Sequence, residues 1–278
     1  MSVVLISGAS SGIGRLTALA FARAGHQVAA GCRSAGRAAD LAAVAAQESL
    51  PLRVVDLDVT RPDSVTGAVR EAGERFGPVD VLVNNAGVMC IGPVEGASEQ
   101  TARRVFETNF FGPLLLIQAV LPSMRERRCG SIVLVGSLLG HVPAPGASVY
   151  AASKQAAAAL HDALSFEVES FGIKVLSVDI GPYPTGIGAN AAAEPGPPAY
   201  APLLDALRGR QARRLAESDD PAEVADAVVE AALGDGARLH VPVGKHAREH
   251  LDGDQLAERF LTGLRREIGR PDKEEARG

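Results

Sequence analysis

The sequence predicts an α/β fold: one domain built on a doubly wound, seven-stranded, mainly parallel sheet with helices on both faces. Three observations predict it. Short apolar runs alternate with helical patterns six times along the 278 residues, and near-continuous apolar strands belong to parallel sheets covered on both faces. The chain is 46% hydrophobic with no tryptophan, so its core is aliphatic and large enough for a single domain. Chemistry-bearing residues recur just after the apolar runs, beyond the carboxyl ends of the strands, where ligands bind in such sheets.

The first strand is Val3 to Ile6. It runs into Ser7-Gly8-Ala9-Ser10-Ser11-Gly12-Ile13-Gly14 and then a helix through Leu16, Leu19, Ala20 and Phe21 to Gly25. Strand, glycine-rich turn and helix make a phosphate cradle: glycine allows tight turns and close approach, and the helix start offers unpaired N–H groups and a positive dipole end. The second strand, His26 to Cys32, ends at Arg33. An acidic residue there would bond the 2′-hydroxyl of NAD; a guanidinium suits the 2′-phosphate of NADP. NADP (as NADPH) is therefore the expected cofactor, and NAD the weaker candidate.

A helix over Ala38 to Glu48 leads to the third strand, Leu52 to Leu57, and to Asp58-Val59-Thr60. Thr60 is expected to cap the next helix, with Asp63 in its first turn. That helix stops at Gly77-Pro78. The fourth strand, Asp80 to Val83, meets Asn84-Asn85-Ala86-Gly87. A helix from Ser98 passes Asn109 and resumes through Leu116 to Met124. The fifth strand, Ser131 to Val135, ends at Gly136-Ser137. A long helix, Val149 to Phe171, follows, then the sixth strand, Lys174 to Ile180. Residues 181 to 202, rich in Pro, Gly and Ala, read as a lid or binding loop. Helices follow over Leu203 to Leu215 and after Pro221. Leu239 to Val243 is a candidate seventh strand. The domain is bounded at 1–245, with its substrate loop at about 182–216. A helical extension and tail occupy 246–278, with Leu251, Leu256, Phe260, Leu261 and Leu264 at amphipathic spacing.

Tyr150 and Lys154 lie four apart in the long helix and project from one face. A nearby ammonium favours the phenolate and lowers a tyrosine pKa, which makes the pair a general acid/base for an alcohol or ketone. Other classes are excluded or disfavoured. The net charge of −5 and the lack of a basic block argue against nucleic acid. The most apolar stretch, Phe110 to Leu121, is interrupted by Gly112, Pro113 and Gln118, so no membrane span is expected. The start lacks a signal-peptide pattern. Cys32, Cys90 and Cys129 show no metal or disulfide spacing; no metal is expected, and a reducing cytoplasm fits.

Taken in order, the motifs resemble the short-chain dehydrogenase/reductase family over about residues 2 to 245, closest in texture to its hydroxysteroid, retinol dehydrogenase and ketoreductase members. SGASSGIG is similar to the TGxxxGIG cofactor loop, with Ser7 in place of Thr. Asp58-Val59, Asn84 to Gly87, Asn109, Ser137 and the Tyr150/Lys154 pair match the remaining motifs, and Ser137 stands thirteen residues before Tyr150. The usual PG after the sixth strand appears as Ile180-Gly181, followed by Pro182 and Thr185. The resemblance implies a Rossmann-type NAD(P)-binding oxidoreductase that interconverts C=O and CH–OH. Tyr150 would be the proton donor or acceptor. Lys154 would lower its pKa and bond the nicotinamide ribose. Ser137 would polarise the carbonyl, and Asn109 would hold a water in the relay to Lys154. Gly8, Ser10, Ser11, Gly12, Ile13, Gly14, Arg33, Asp58, Val59, Asn85, Ala86, Gly87, Pro182 and Thr185 would contact the cofactor. It also implies a homodimer or homotetramer.

The expected substrate is a lipophilic carbonyl compound or alcohol, lined by Ser137, Leu139, His141 and Tyr183; His141 is read either as bonding a second substrate oxygen or as a loop histidine facing water. The alternatives are a 3-oxoacyl-carrier-protein-type reductase and a non-catalytic NADP-sensing protein; a retained Tyr150/Lys154 pair argues against the latter.

Overall fold

The computed structural model describes residues 1–251 except 143, 195, 236 and 237. In chain order the elements are β1 (Val3–Ser7), α1 (Gly12–Arg23), β2 (Gln27–Cys32), α2 (Ala39–Gln47), β3 (Leu52–Asp56), α3 (Pro62–Phe76), β4 (Val81–Asn84), β5 (Cys90–Ile91), α4 (Glu99–Phe106), α5 (Gly112–Arg127), β6 (Gly130–Val135), α6 (Ser148–Val168), β7 (Ile173–Ile180), α7 (Gly186–Ala189), β8 (Ala192–Ala193), α8 (Ala201–Ala216), α9 (Ala222–Leu233), β9 (His240–Val243) and α10 (Lys245–Leu251). Every residue of β1 is buried, because a central strand covered on both faces has no exposed side. The main sheet has seven strands in the order β3-β2-β1-β4-β6-β7-β9, each paired parallel with its neighbour. The strand order reverses between β1 and β4, and the crevice there is where ligands enter such sheets.

One face of the sheet packs on α1, α2 and α9 through Phe21, Leu41 and Val228; the other packs on α3, α5 and α6 through Leu116, Met124 and Leu164. Helix α6 keeps its buried positions Ala157, His161, Leu164 and Val168 on one side, at the three-to-four spacing of a helix against a sheet. This fixes Tyr150 and Lys154 at its start, over the carboxyl end of β6.

Several expectations need correction. Thr60 does not cap α3: Pro62 opens that helix, where a missing N–H costs nothing, and the Thr60 hydroxyl donates to Asp58 instead. Gly112 and Pro113 do not interrupt the helix before them. A π turn over Glu107–Phe111 joins α4 to α5, and Pro113 falls in the first turn of α5. The joined helix, Glu99–Arg127, is long and apolar enough to cross a membrane by length and composition. In the fold its Leu116, Ile117, Val120 and Met124 are buried in the core beneath the sheet.

Residues 181–202 are more structured than a loop. β8 pairs parallel with β5. Ser98, at the start of α4, and Thr101 donate to Glu194 Oε1 at 2.7 and 2.6 Å, and Tyr200 donates to Glu95 at 2.8 Å. At the other end, the expected boundary at 245/246 falls inside α10, whose Ala247 and Leu251 are buried. Leu256, Phe260, Leu261 and Leu264 lie outside the described residues.

Candidate active site

The turn between β1 and α1 is shaped by what stands beside it. Gly8 has φ +69°, and a Cβ there would lie 2.9 Å from the Ala86 Cα. A Cβ on Gly14 would overlap Asn85 Nδ2 and the Gly8 carbonyl. Both positions therefore need glycine, and both press on the loop after β4. Ser7 joins the two strand ends. Its buried hydroxyl accepts from the N–H groups of Asn85 and Ala86, each at 3.0 Å, and donates to the Val83 carbonyl at 3.3 Å. Asn85 donates to the carbonyls of Ser7 and Gly8 at 2.9 and 3.1 Å. Ser7→Ala leaves two loop N–H groups without that acceptor. We expect a loss of about 2 kcal/mol, or roughly 4–8 °C in the thermal midpoint, measured by thermal unfolding.

This cradle fits a dinucleotide. Ser11 begins α1 and makes no side-chain cap hydrogen bond, so the first N–H groups of the helix are available to a phosphate. Ser10 and Ser11 sit at its mouth, whereas the Ile13 side chain is turned into the core and only its backbone can reach a ligand. Thr185 packs across the turn, 3.6 Å from where a Gly12 Cβ would be, and Pro182 lies three residues before it. Ala9 N donates to Gly31 O and Leu57 N to Cys32 O, so β2 ends between the glycine turn and the Asp58 loop. The exposed Arg33 projects from that point. Asp58 is held by Thr60, whose N and Oγ1 donate to its Oδ1 at 3.0 and 2.8 Å. Val59 is buried against Gly112. Gly87 lies between Asn109 and Ile187.

The catalytic candidates converge over β6. Ser137 is nearly buried, and its Oγ accepts from Leu139 N at 3.2 Å. Burial pushes the Tyr150 phenol up to about 12, against a hydrogen bond with Ser137 that lowers it. Lys154 is pulled down to about 8 by burial, opposed by the negative charge of Asp179, and its Nζ donates to the Val135 carbonyl at 2.9 Å. The expectation that Lys154 depresses the tyrosine is not met in this geometry. The helix puts both on one face, but burial dominates the phenol and the ammonium is engaged by the strand end. Asn109 stands on the π turn, a frequent mark of functional helices. Both of its amide protons are used: Oδ1 accepts from Val88 N, and Nδ2 donates to Val88 O and Ser153 Oγ, at 2.9, 2.9 and 3.0 Å. The Ser153 hydroxyl in turn donates to the Tyr150 carbonyl at 2.7 Å. The Asn109 side chain thus ties Val88 to α6 and has no amide proton left for a relay water.

Two expected substrate residues are elsewhere. Tyr183 is buried in the core, its hydroxyl bonded to Glu223 of α9 and its ring against Gly244; burial and that carboxylate push its phenol far up. The short Pro182–Thr185 turn directs it inward. His141 turns Nε2 toward Asp179, 3.2 Å away, and its ring meets His240 edge-on at 5.0 Å, so that nitrogen is not presented to a substrate. Leu139 remains half-buried beside Ser137.

Sequence reasoning missed the groups that support these. Ser153 sits within the Tyr/Lys motif but carries no signal of its own. His161, on the inner side of α6, is fully buried, with Nδ1–H donating to Ala157 O at 2.8 Å and Nε2 facing Asn84 at 3.4 Å. Burial pushes it down to about 4, so it is neutral. His141, Asp179 and His240 bring ligand-type atoms within 4.8 Å of one another, although no sequence spacing pointed to a metal.

Comparisons with known proteins agree with this arrangement. The family model for short chain dehydrogenases matches residues 2–196. Dehydrogenase/reductase SDR family member 7B of Bos taurus is 38% identical over 196 residues, covering 68% of this chain and 60% of the relative. Retinol dehydrogenase 8 of Bos taurus is 44% identical over 189 residues, covering 66% and 59%. The match thus spans about three fifths of the length of these relatives. A crystal structure of a short-chain dehydrogenase from Streptomyces avermitilis superposes with a TM-score of 0.82 at 34% identity, covering 96% of this chain and 97% of that one. With a glycine cradle at the β1/β4 switch point, a Ser/Tyr/Lys cluster over β6 and these matches, the chain belongs to the short-chain dehydrogenase family.

Proposed function

We propose that the protein is an NADPH-dependent reductase of a lipophilic ketone or aldehyde, or the corresponding alcohol dehydrogenase in reverse, with Tyr150 as general acid/base. The observation that carries this reading is the Tyr150 phenol beside Ser137, with Lys154 one turn on along the same helix face. A phenol pushed up to about 12 holds its proton at neutral pH, the protonation state that carbonyl reduction requires of its donor. When bound, the reduced nicotinamide supplies the hydride. Ser137 and Tyr150 orient the carbonyl oxygen and stabilise the charge that grows on it. Tyr150 delivers the proton, and Lys154 meets the negative charge left on the phenolate. Gly8, Gly14 and the start of α1 hold the pyrophosphate. Arg33, exposed at the end of β2, supports the choice of NADPH.

Half-buried Leu139 stands two residues past Ser137 and supports an apolar substrate; one of the relatives acts, by its name, on retinol. The test is consumption of NADPH and of NADH against ketones graded from small aliphatic to fused-ring size. The expected result is turnover with NADPH that rises with substrate size. Turnover confined to small polar ketones would overturn the substrate class.

A further inference from the structure

Asp179 on β7 is 1% exposed, and an uncompensated carboxylate at such a position is costly. Here it is compensated from three elements. Ser177 Oγ donates to Oδ1 at 2.8 Å. His240 on β9 meets Oδ2 through Nδ1 at 2.7 Å. His141, on the turn after Ser137, brings Nε2 to 3.2 Å from Oδ1 in an ion-pair contact off the hydrogen-bond axis. The other nitrogen of His240 lies 3.0 Å from Asp162 on α6, like His141 an ion-pair contact off the hydrogen-bond axis. An imidazole set between two carboxylates is favoured in its doubly protonated form. Burial opposes that charge, yet Asp162 and Asp179 outweigh it and push His240 up to about 10. Burial likewise opposes the Asp179 anion, and His141 and His240 outweigh it and hold the carboxyl far below its ordinary range.

The location of this carboxylate matters more than its charge alone. It packs on Gly136 so closely that a Cβ there would overlap Oδ1 and Ser177 Oγ. Gly136 separates Val135, whose carbonyl takes the Lys154 ammonium, from Ser137. Of the titratable groups around Lys154, Tyr150 and His161 lie on its own helix, one turn before and two turns after it, and Asp179 lies on β7, packed on the Gly136 that follows the Val135 carbonyl taking Nζ. Neutral His161 contributes no charge, so Asp179 is the buried anion that favours the ammonium. Around it, Lys154, Asp179, His240 and Asp162 alternate in sign and join α6, β7 and β9, while His141 links the turn after Ser137.

We propose that Asp179 is a positioning residue for the reaction: clamped by His141 and His240, it is the buried counter-charge of Lys154 and ties the Ser137 turn to α6. The proposal rests on the role given to Lys154 above, and the first readout of its test, the Lys154 titration, is independent of turnover. Lys154 is one of four lysines, with Lys174, Lys245 and Lys273, so protein carrying 13C at lysine Cε gives few resonances. The Lys154 signal, assigned with Lys154→Arg, is followed against pH. The wild type is expected to titrate near 8. Asp179→Asn is expected to lower the midpoint by about one unit or more and to move the alkaline limb of turnover with it, while Asp179→Glu retains the wild-type midpoint. A purely structural role would lower stability and leave the midpoint in place, which overturns the proposal. A shifted midpoint in a protein that reduces no ketone would uphold the electrostatic link while removing the proposed reaction. Should Asp179→Asn fail to fold, 15N-histidine spectra of the wild type decide: His240 doubly protonated at pH about 8 supports the clamp, and titration at the ordinary histidine value overturns it. Zinc that stabilises the wild type but not His141→Ala would make the cluster a cation site and likewise overturn the proposal.

Discussion

Tyr150→Phe retains NADPH binding and slows carbonyl reduction by about 100- to 10,000-fold, the range a positioned general acid supplies. The phenol is buried beside Ser137. The substitution deletes one oxygen and keeps the ring, so α6 and the Asn109–Ser153–Tyr150 carbonyl chain stay in place. The loss therefore falls on kcat, not on the affinity for NADPH or the thermal midpoint. Measurement is by steady-state kinetics beside NADPH titration followed by fluorescence. A variant that keeps wild-type kcat removes Tyr150 from proton transfer; one that loses NADPH affinity as well assigns the side chain to the cradle.

Arg33→Asp exchanges the coenzyme preference. The guanidinium stands exposed past β2, between the glycine turn and Asp58, and a charge-assisted bond to a phosphate contributes about 1.5–3 kcal/mol. NADPH affinity is expected to fall about 10- to 100-fold from the lost bond, and further from carboxylate–phosphate repulsion. The introduced aspartate accepts a bond from the ribose 2′-hydroxyl, so NADH affinity is unchanged or tighter. Titration with both coenzymes checks this. Equal weakening of NADPH and NADH would mean that Arg33 does not meet the 2′-phosphate.

Much of the site was legible before any coordinates because backbone-level chemistry writes itself into residue type. Gly8 and Gly14 are glycine because no Cβ fits. The apolar runs at β1, β4 and β6 are continuous because these strands are covered on both faces. Ser98 opens α4 as its cap. The readings that failed concerned where a side chain points or what sits across from it. Tyr183 looked like a pocket residue because it follows a strand end, yet packing against α9 took it inward. Gly112-Pro113 looked like a helix break, and a π turn absorbed it. Residues 181–202 looked structureless because short pairing between β5 and β8, and the docking of Glu194 on Ser98 and Thr101, join residues about a hundred positions apart.

The sequence by itself determined the strand and helix order of the main sheet, the glycine turn between β1 and α1, the shared helix face of Tyr150 and Lys154 and the place of Arg33 at the end of β2. Each of these rests on local periodicity, backbone conformation or spacing within one element, which a linear chain displays directly. Only the tertiary structure decided the electrostatics: that burial raises Tyr150 and lowers Lys154, that the Asn109 side chain is occupied by Val88 and Ser153, and that Asp179 is clamped by His141 and His240. Desolvation and charge pairing depend on distances between residues far apart in the chain, and only folding brings those residues together.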